Sequence, residues 1–171
     1  MTGIIKVDTI QNNGGTTGLT IDSSGRVTRN VDPAFRIGRT SDQSSTTTGS
    51  EVTVLFDDFD SDNCFIQGGM SLSSGVVTAP IAGLYQFNMN LRINNIGSGF
   101  IIGKIVINNE VSNNKEVYII DGNPASDYTN LTGSEVFKLQ ANDNVRFQIY
   151  SQADNNYNIS LNSSASGVFI G

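Results

Sequence analysis

One stretch of this chain constrains its structure more than any other. From Gly83 the sequence runs Leu84-Tyr85-Gln86-Phe87-Asn88-Met89-Asn90-Leu91-Arg92-Ile93, alternating with a period of two. Tyr85, Phe87, Met89, Leu91 and Ile93 fall on one side, and Leu84, Gln86, Asn88, Asn90 and Arg92 on the other. Successive side chains of a β-strand point to opposite faces, so this spacing predicts a half-buried antiparallel strand. Just before it, Gly75-Val76-Val77-Thr78-Ala79-Pro80 reads as a strand ending at Pro80, which has no N–H to give to a ladder. Gly83 allows a sharp bend between the two.

Composition agrees with an all-β chain. Only 15% of the 171 residues are charged, and Gly, Ser, Thr and Asn are abundant. Helix surfaces favour Glu, Lys, Gln and Ala, and little of this chain shows a 3.6-residue spacing. The length suits one domain with a short appendage. So neutral a surface is commoner on extracellular or particle-borne β proteins than on cytosolic enzymes.

Several functions are disfavoured by what is missing. A net charge of −6 with no basic cluster argues against binding nucleic acid through its phosphates. No apolar run approaches the ~18 residues of a membrane-spanning helix. Residues 1–7 lack a long apolar segment, so no secretory signal is expected, and the Asn-x-Ser/Thr triplets at Asn130, Asn158 and Asn162 read as composition. Cys64 is the only cysteine, which excludes an intrachain disulfide. It reads as a small buried residue, with an interchain bridge or a reactive thiol as alternatives. The chain has no histidine, so Ser-His-Asp and Cys-His pairs, His-ligated zinc and the usual neutral-pH base are all absent. The spacing of the acids gives no argument for a two-carboxylate hydrolase. No enzymatic activity is expected.

The chain divides at residues 30–33. Residues 1–32 read as an arm: a strand over Ile4–Ile10, a turn over Gln11–Gly15, and a hairpin over Leu19–Thr28 with Gly25 in a left-handed position. So few apolar side chains cannot form a core alone, so the arm must pair with copies of itself or with another protein. The order Ile5-Lys6-Val7-Asp8-Thr9-Ile10-Gln11, glycine-rich turn, Leu19-Thr20-Ile21-Asp22-Ser23-Ser24-Gly25-Arg26-Val27 resembles a short module of bacteriophage tail-fibre and other virion proteins, especially of marine and cyanobacterial phages. That resemblance makes Ile5, Val7, Ile10 and Ile21 candidate attachment residues.

Beyond Pro33 short strands alternate with turn clusters. Strands are expected at 33–39, 52–56, 100–108, 116–120, 128–139, 145–150, 157–161 and 166–171, with a polar loop at 41–50. This is the pattern of a sandwich or jelly roll. The residues also carry a set of motifs in order. Pro33-Ala34-Phe35 opens it, and Leu55-Phe56-Asp57 with Asn63 follows. Gly75, Val77, Thr78, Pro80, Gly83, Tyr85 and Phe87 fit G-x-F-T-x-P-x-x-G-x-Y-x-F, with Val77 replacing its Phe. Leu139, Asp143 and Val145 fit L-x-x-G-D-x-V, with Asn142 in place of Gly, a swap that keeps a positive φ accessible. Ser166-Gly167-Val168-Phe169-Ile170 fits F-S-G-F-L without its leading Phe. As a set these residues resemble the complement C-one-q globular-head family of the tumour-necrosis-factor-like superfamily.

That resemblance implies a ten-stranded jelly-roll sandwich over residues 33–171 that works as a homotrimer. The apolar pattern points the same way: Phe100-Ile101-Ile102 and Phe169 place large side chains on both strand faces, one for the core and one for a partner. Tyr85, Phe87, Phe100, Ile102 and Phe169 are therefore candidates for core or trimer packing. Asp58, Asp60 and Asp62 alternate like the start of a calcium loop, although the glycine and glutamate of a full EF-hand loop are missing. Some members of the resembled family bind calcium, so these three are the candidate metal ligands; no other cofactor is expected. The expected function is a non-enzymatic phage virion protein. It would be a homotrimeric knob on a fibre, appendage or capsid, joined through its arm to other virion proteins and adhering to a host-surface glycan or protein. A free, soluble lectin-like binding module is the alternative.

Overall fold

The computed structural model describes residues 7–15, 17–29, 31–45, 49–97, 99–108, 116–121, 128–152 and 157–171, and every regular element among them is a β-strand. The chain divides into two compact units, Met1–Asp32 and Pro33–Gly171.

In the first unit, β1 (Thr9–Gln11), β2 (Thr17–Ile21) and β3 (Val27–Arg29) form an antiparallel sheet in that order. The β2–β3 turn is fixed by Asp22. Its carboxylate accepts the backbone N–H groups of Ser24 (2.9 Å) and Arg26 (3.0 Å) and the Arg26 Nε at 2.7 Å. Gly25 takes φ 77° there, a conformation that costs a side-chain-bearing residue energy. Of the strand expected over Ile4–Ile10, only the end at Thr9–Gln11 lies among the described residues.

The second unit is a two-sheet head. Its strands are β4 (Ala34–Gly38), β5 (Gln43–Ser45), β6 (Glu51–Thr53), β7 (Phe65–Gln67), β8 (Ser71–Ser73), β9 (Val76–Thr78), β10 (Gly83–Asn94), β11 (Ile101–Ile107), β12 (Glu116–Asp121), β13 (Tyr128–Leu139), β14 (Asn144–Ser151), β15 (Tyr157–Ile159) and β16 (Ser164–Phe169). One sheet runs β5-β15-β10-β16-β4-β7, with β13 on the other edge of β10. The second runs β12-β11-β14-β9-β8, with β6 also on β14. The alternating segment is β10, the axis of the first sheet. It pairs with β13 from Gly83–Leu139 to Asn94–Tyr128, and its other edge is shared by β16 and β15. β4, which opens the head, pairs with β16, bringing Ala34 beside Val168.

The inner faces of the two sheets make one core. Tyr85, Phe87, Met89, Leu91 and Ile93 are all buried in it, as their spacing predicts. They meet Ile101, Ile105, Val145, Phe147 and Ile149 from the opposite sheet. Aromatic rings bridge the layers: Phe35 approaches Phe147 at 6.4 Å, and Phe56 meets Phe147 edge-on at 5.7 Å. Gly167 is small for a packing reason, since a Cβ there would lie 2.4 Å from the Phe35 ring and 2.7 Å from that of Phe87. Gly75 has φ 74° and its missing Cβ would fall 2.3 Å from the Val54 carbonyl oxygen, so the motif glycine marks a close backbone approach. Asn142 takes φ 71° in the β13–β14 turn, the geometry its place in the L-x-x-G-D-x-V motif requires.

Two expectations need correction, and one strand was not foreseen. The strand expected over 52–56 stops at Thr53, because the Phe56 N–H turns back to the Val54 carbonyl at 3.1 Å. That turn buries Phe56 and leaves Leu55 exposed. The polar segment 41–50 contains β5, which gains its ladder from β15. Phe65–Gln67 forms an edge strand, β7, against β4. The head thus has more and shorter strands than a plain ten-stranded roll.

Candidate oligomerisation face

The sequence-derived candidates are spread over different environments. The Tyr85 and Phe87 rings are fully buried and stacked at 6.1 Å, and the Tyr85 hydroxyl donates to the Ile81 carbonyl at 3.0 Å. Burial pushes the Tyr85 phenol pKa up. Phe169 is half-buried, its ring edge-on to Tyr85 at 5.2 Å, so it seals the end of the same core. Phe100 and Ile102 belong to the other sheet's side of the head. Phe100 stacks on Tyr150 at 6.1 Å, and Ile102 is half-buried on the outer face of β11. In the arm Val7 and Ile10 are exposed and Ile21 is half-buried, while Ile5 lies outside the described residues.

The metal expectation does not fit the geometry. Asp58 bridges to Gly38, and its carboxylate accepts the Ser61 hydroxyl at 2.9 Å. A second bridge, Ser61–Cys64, closes the loop locally and holds Asp60 and Asp62 in solvent. Asp58, Asp60 and Asp62 therefore form no ligand group. Among the described residues no three His, Cys, Asp or Glu side chains are grouped to hold a metal ion. Cys64 is a buried free thiol whose pKa burial raises.

What the candidates missed is the outer face of the seven-stranded sheet. Pairing registers set out its rows. Leu84 lies beside Lys138 on one side and, through the bond from the Ile170 N–H to its carbonyl, beside Ile170 on the other. The next row runs Ala34, Val168, Gln86, Val136. Leu84 (42% exposed), Val136 (45%), Val168 (39%) and Ile170 (50%) thus form one aliphatic patch on neighbouring strands. Further along, the rows turn polar, with Arg36 beside Ser166 on β4. Asn88 Nδ2 donates to the Ser166 hydroxyl and Gln86 Nε2 to that of Ser134, both at 3.3 Å. At the far end the Arg92 guanidinium lies 4.5 Å from the centre of the Tyr128 ring. The signal was present in the sequence: Leu84, Val136 and Val168 occupy the phase opposite to the buried Tyr85, Phe137 and Gly167, where a solvated strand would carry polar residues.

The outer face of the six-stranded sheet differs. Lys104 is 5% exposed and Val106 1% exposed within a single chain. The Lys104 ammonium donates to Glu51 Oε1 at 3.0 Å and lies 5.7 Å from the Tyr150 ring centre. The Lys104 hydrogen bond holds the Glu51 carboxyl below its usual pKa of 4.5. A surface cleft of about 460 Å³ lies between Arg39, Leu55, Phe59 and Leu72. Its one cation is already engaged, because Arg39 donates to the carbonyls of Ser41 and Leu55 and to the Gln43 side chain.

Known proteins share this architecture. Residues 34–171 match the model of the C1q domain. No curated protein sequence matches the chain. Among solved structures, murine APRIL at pH 5.0 superposes with a TM-score of 0.62 at 13% identity, covering 82% of this chain and 100% of that one. The globular domain of zebrafish complement 1qA protein gives 0.59 at 18% identity, covering 81% of this chain and 98% of that one. At these identities the superpositions show a common jelly-roll fold, and the match across the whole head shows the family: the chain belongs to the C1q domain family.

Proposed function

We propose that this protein is a non-enzymatic phage virion protein whose head assembles as a homotrimer through the outer face of its seven-stranded sheet. The observation that carries the trimer is the aliphatic patch of Leu84, Val136, Val168 and Ile170. Contiguous exposed apolar surface is uncommon on monomers and marks contact sites. On β10 and β16 the amides and hydroxyls beside it are uncharged, with Lys138 and Arg36 on the flanking strands, so the apolar centre can close without burying a charge. C1q-like domains are generally binding modules without catalysis, and the absence of histidine agrees with that. The virion assignment rests on the arm, whose two motif halves stand in the order found in phage fibre modules. On this reading the knob faces outward on a fibre, appendage or capsid and adheres to a host-surface glycan or protein, while the arm joins it to the particle.

Purified particles test the assignment. The chain should be present at fixed stoichiometry, and a chain lacking residues 1–32 should fold, trimerise and fail to join particles. Absence from particles would leave the free, lectin-like module as the function. Normal incorporation of the truncated chain would assign attachment to the head.

A further inference from the structure

The arm sheet has two unlike faces. Register pairs Ile10 with Leu19 and Ile21 with Val27, and two-residue spacing sets all four on one face. Thr9 and Thr20 pair on the other. Ile10 is 50% exposed and Val27 61%, with Leu19 and Ile21 half-buried between them. A sheet this small with one apolar face needs a second layer to be stable.

The covalent path indicates what that layer is. β3 ends at Arg29 and β4 begins at Ala34, so the connection spans at most about 18 Å at ~3.3–3.6 Å per residue. Ala34 stands in the same row as Val168, at the apolar end of the outer face. In a trimer closed through that face, the three chains enter their heads near one another. Three arms on linkers this short face each other at an effective concentration of roughly millimolar, enough for a small apolar contact to form. Register also sets Arg29 beside Leu19 and Asp8 beside Ile21, opposite charges at opposite corners of this face, so copies can meet under rotation with the four aliphatic side chains at the centre.

We propose that the three arm sheets of one trimer pack apolar face to apolar face, each contributing Ile10, Leu19, Ile21 and Val27 to a shared second core. This rests on the trimer reading of the head. It leaves the Thr9–Thr20 face outward, available to the rest of the particle.

The test uses the full chain, free of particles. Sedimentation gives the oligomeric state, and hydrogen exchange reports on the Leu19–Ile21 amides. In the trimer these amides should exchange at least about tenfold more slowly than in an Ile10→Asp/Leu19→Asp variant that remains trimeric. A Val27→Cys chain should form disulfide-linked dimers between copies on oxidation. Unprotected arm amides in an intact trimer would overturn the arm proposal alone, giving the face to another virion protein. Protection without any Val27→Cys cross-link would also overturn it, because the face would then be covered from within its own chain. A monomer would overturn both readings.

Discussion

The two sheets of the head share one core but present opposite outer faces. On the six-stranded sheet, Lys104 and Val106 are already buried, and Lys104 has Glu51 beside it. Those two residues are covered within a single chain. On the seven-stranded sheet the equivalent positions carry four exposed aliphatic side chains, with amides and hydroxyls beside them on β10 and β16. The contrast teaches where to look for a partner. Burial on both sides of a strand satisfies it, whereas an aliphatic patch opposite a filled core leaves apolar surface in water at about 25 cal/mol per Å².

The strongest way to break this contrast is to charge the patch. A Leu84→Asp/Val168→Asp chain should sediment as a folded monomer at micromolar concentration, because an unpaired carboxylate cannot be buried cheaply in an apolar contact. Ile102→Ser on the other sheet should leave the mass of the assembly unchanged. A trimer that survives the double change would mean that the interface lies elsewhere. On the inner side of the same strand, Tyr85→Ala should lower stability by roughly 3–5 kcal/mol in chemical denaturation. A loss below about 1 kcal/mol would mean the faces of β10 are wrongly assigned. Gly167→Ala should cost about 1–3 kcal/mol, since its Cβ would meet the Phe35 and Phe87 rings. Its neighbour Val168→Ala should weaken assembly while leaving the isolated fold nearly unaffected.

The smallest effect belongs to Glu51. Its folded pKa lies below the unfolded value of 4.5, so its ion pair contributes stability above that value and loses it as pH falls through the folded pKa. Glu51→Gln should cost at most about 1 kcal/mol near neutrality, because water screens the partly exposed Glu51 carboxylate, and the gap from the parent chain should close on acidification. A gap independent of pH would show that Glu51 acts through packing alone.

Much of this was legible in the residues. The period of β10 and the Asn142 turn follow from local chemistry that the motifs record. The polar strand Gln43–Ser45 was not, because nothing in its side chains favours a strand and its ladder comes from β15, more than a hundred residues away in sequence. Nor was the turn at Leu55, since Val52–Phe56 carries strong strand formers and tertiary packing of Phe56 overrides them. Attention to the filled phase of each strand hid the outer patch. Phe100, Ile102 and Phe169 are large and conspicuous in sequence, whereas Leu84 and Val168 matter through their neighbours. The three aspartates read as a ligand series only until the loop is closed by its own backbone bridges.

The pairing of β4 with β16 has a consequence in time. In the seven-stranded sheet no two neighbouring strands are successive in the chain, while the six-stranded sheet contains the successive pairs β8–β9 and β11–β12. Local pairs close quickly; distant ones wait on the entropy of a long loop. During synthesis Ala34 emerges early and cannot find its partner until Val168 has left the ribosome. The sheet with the exposed patch is therefore finished last, so the patch exists as one surface only after the head has closed.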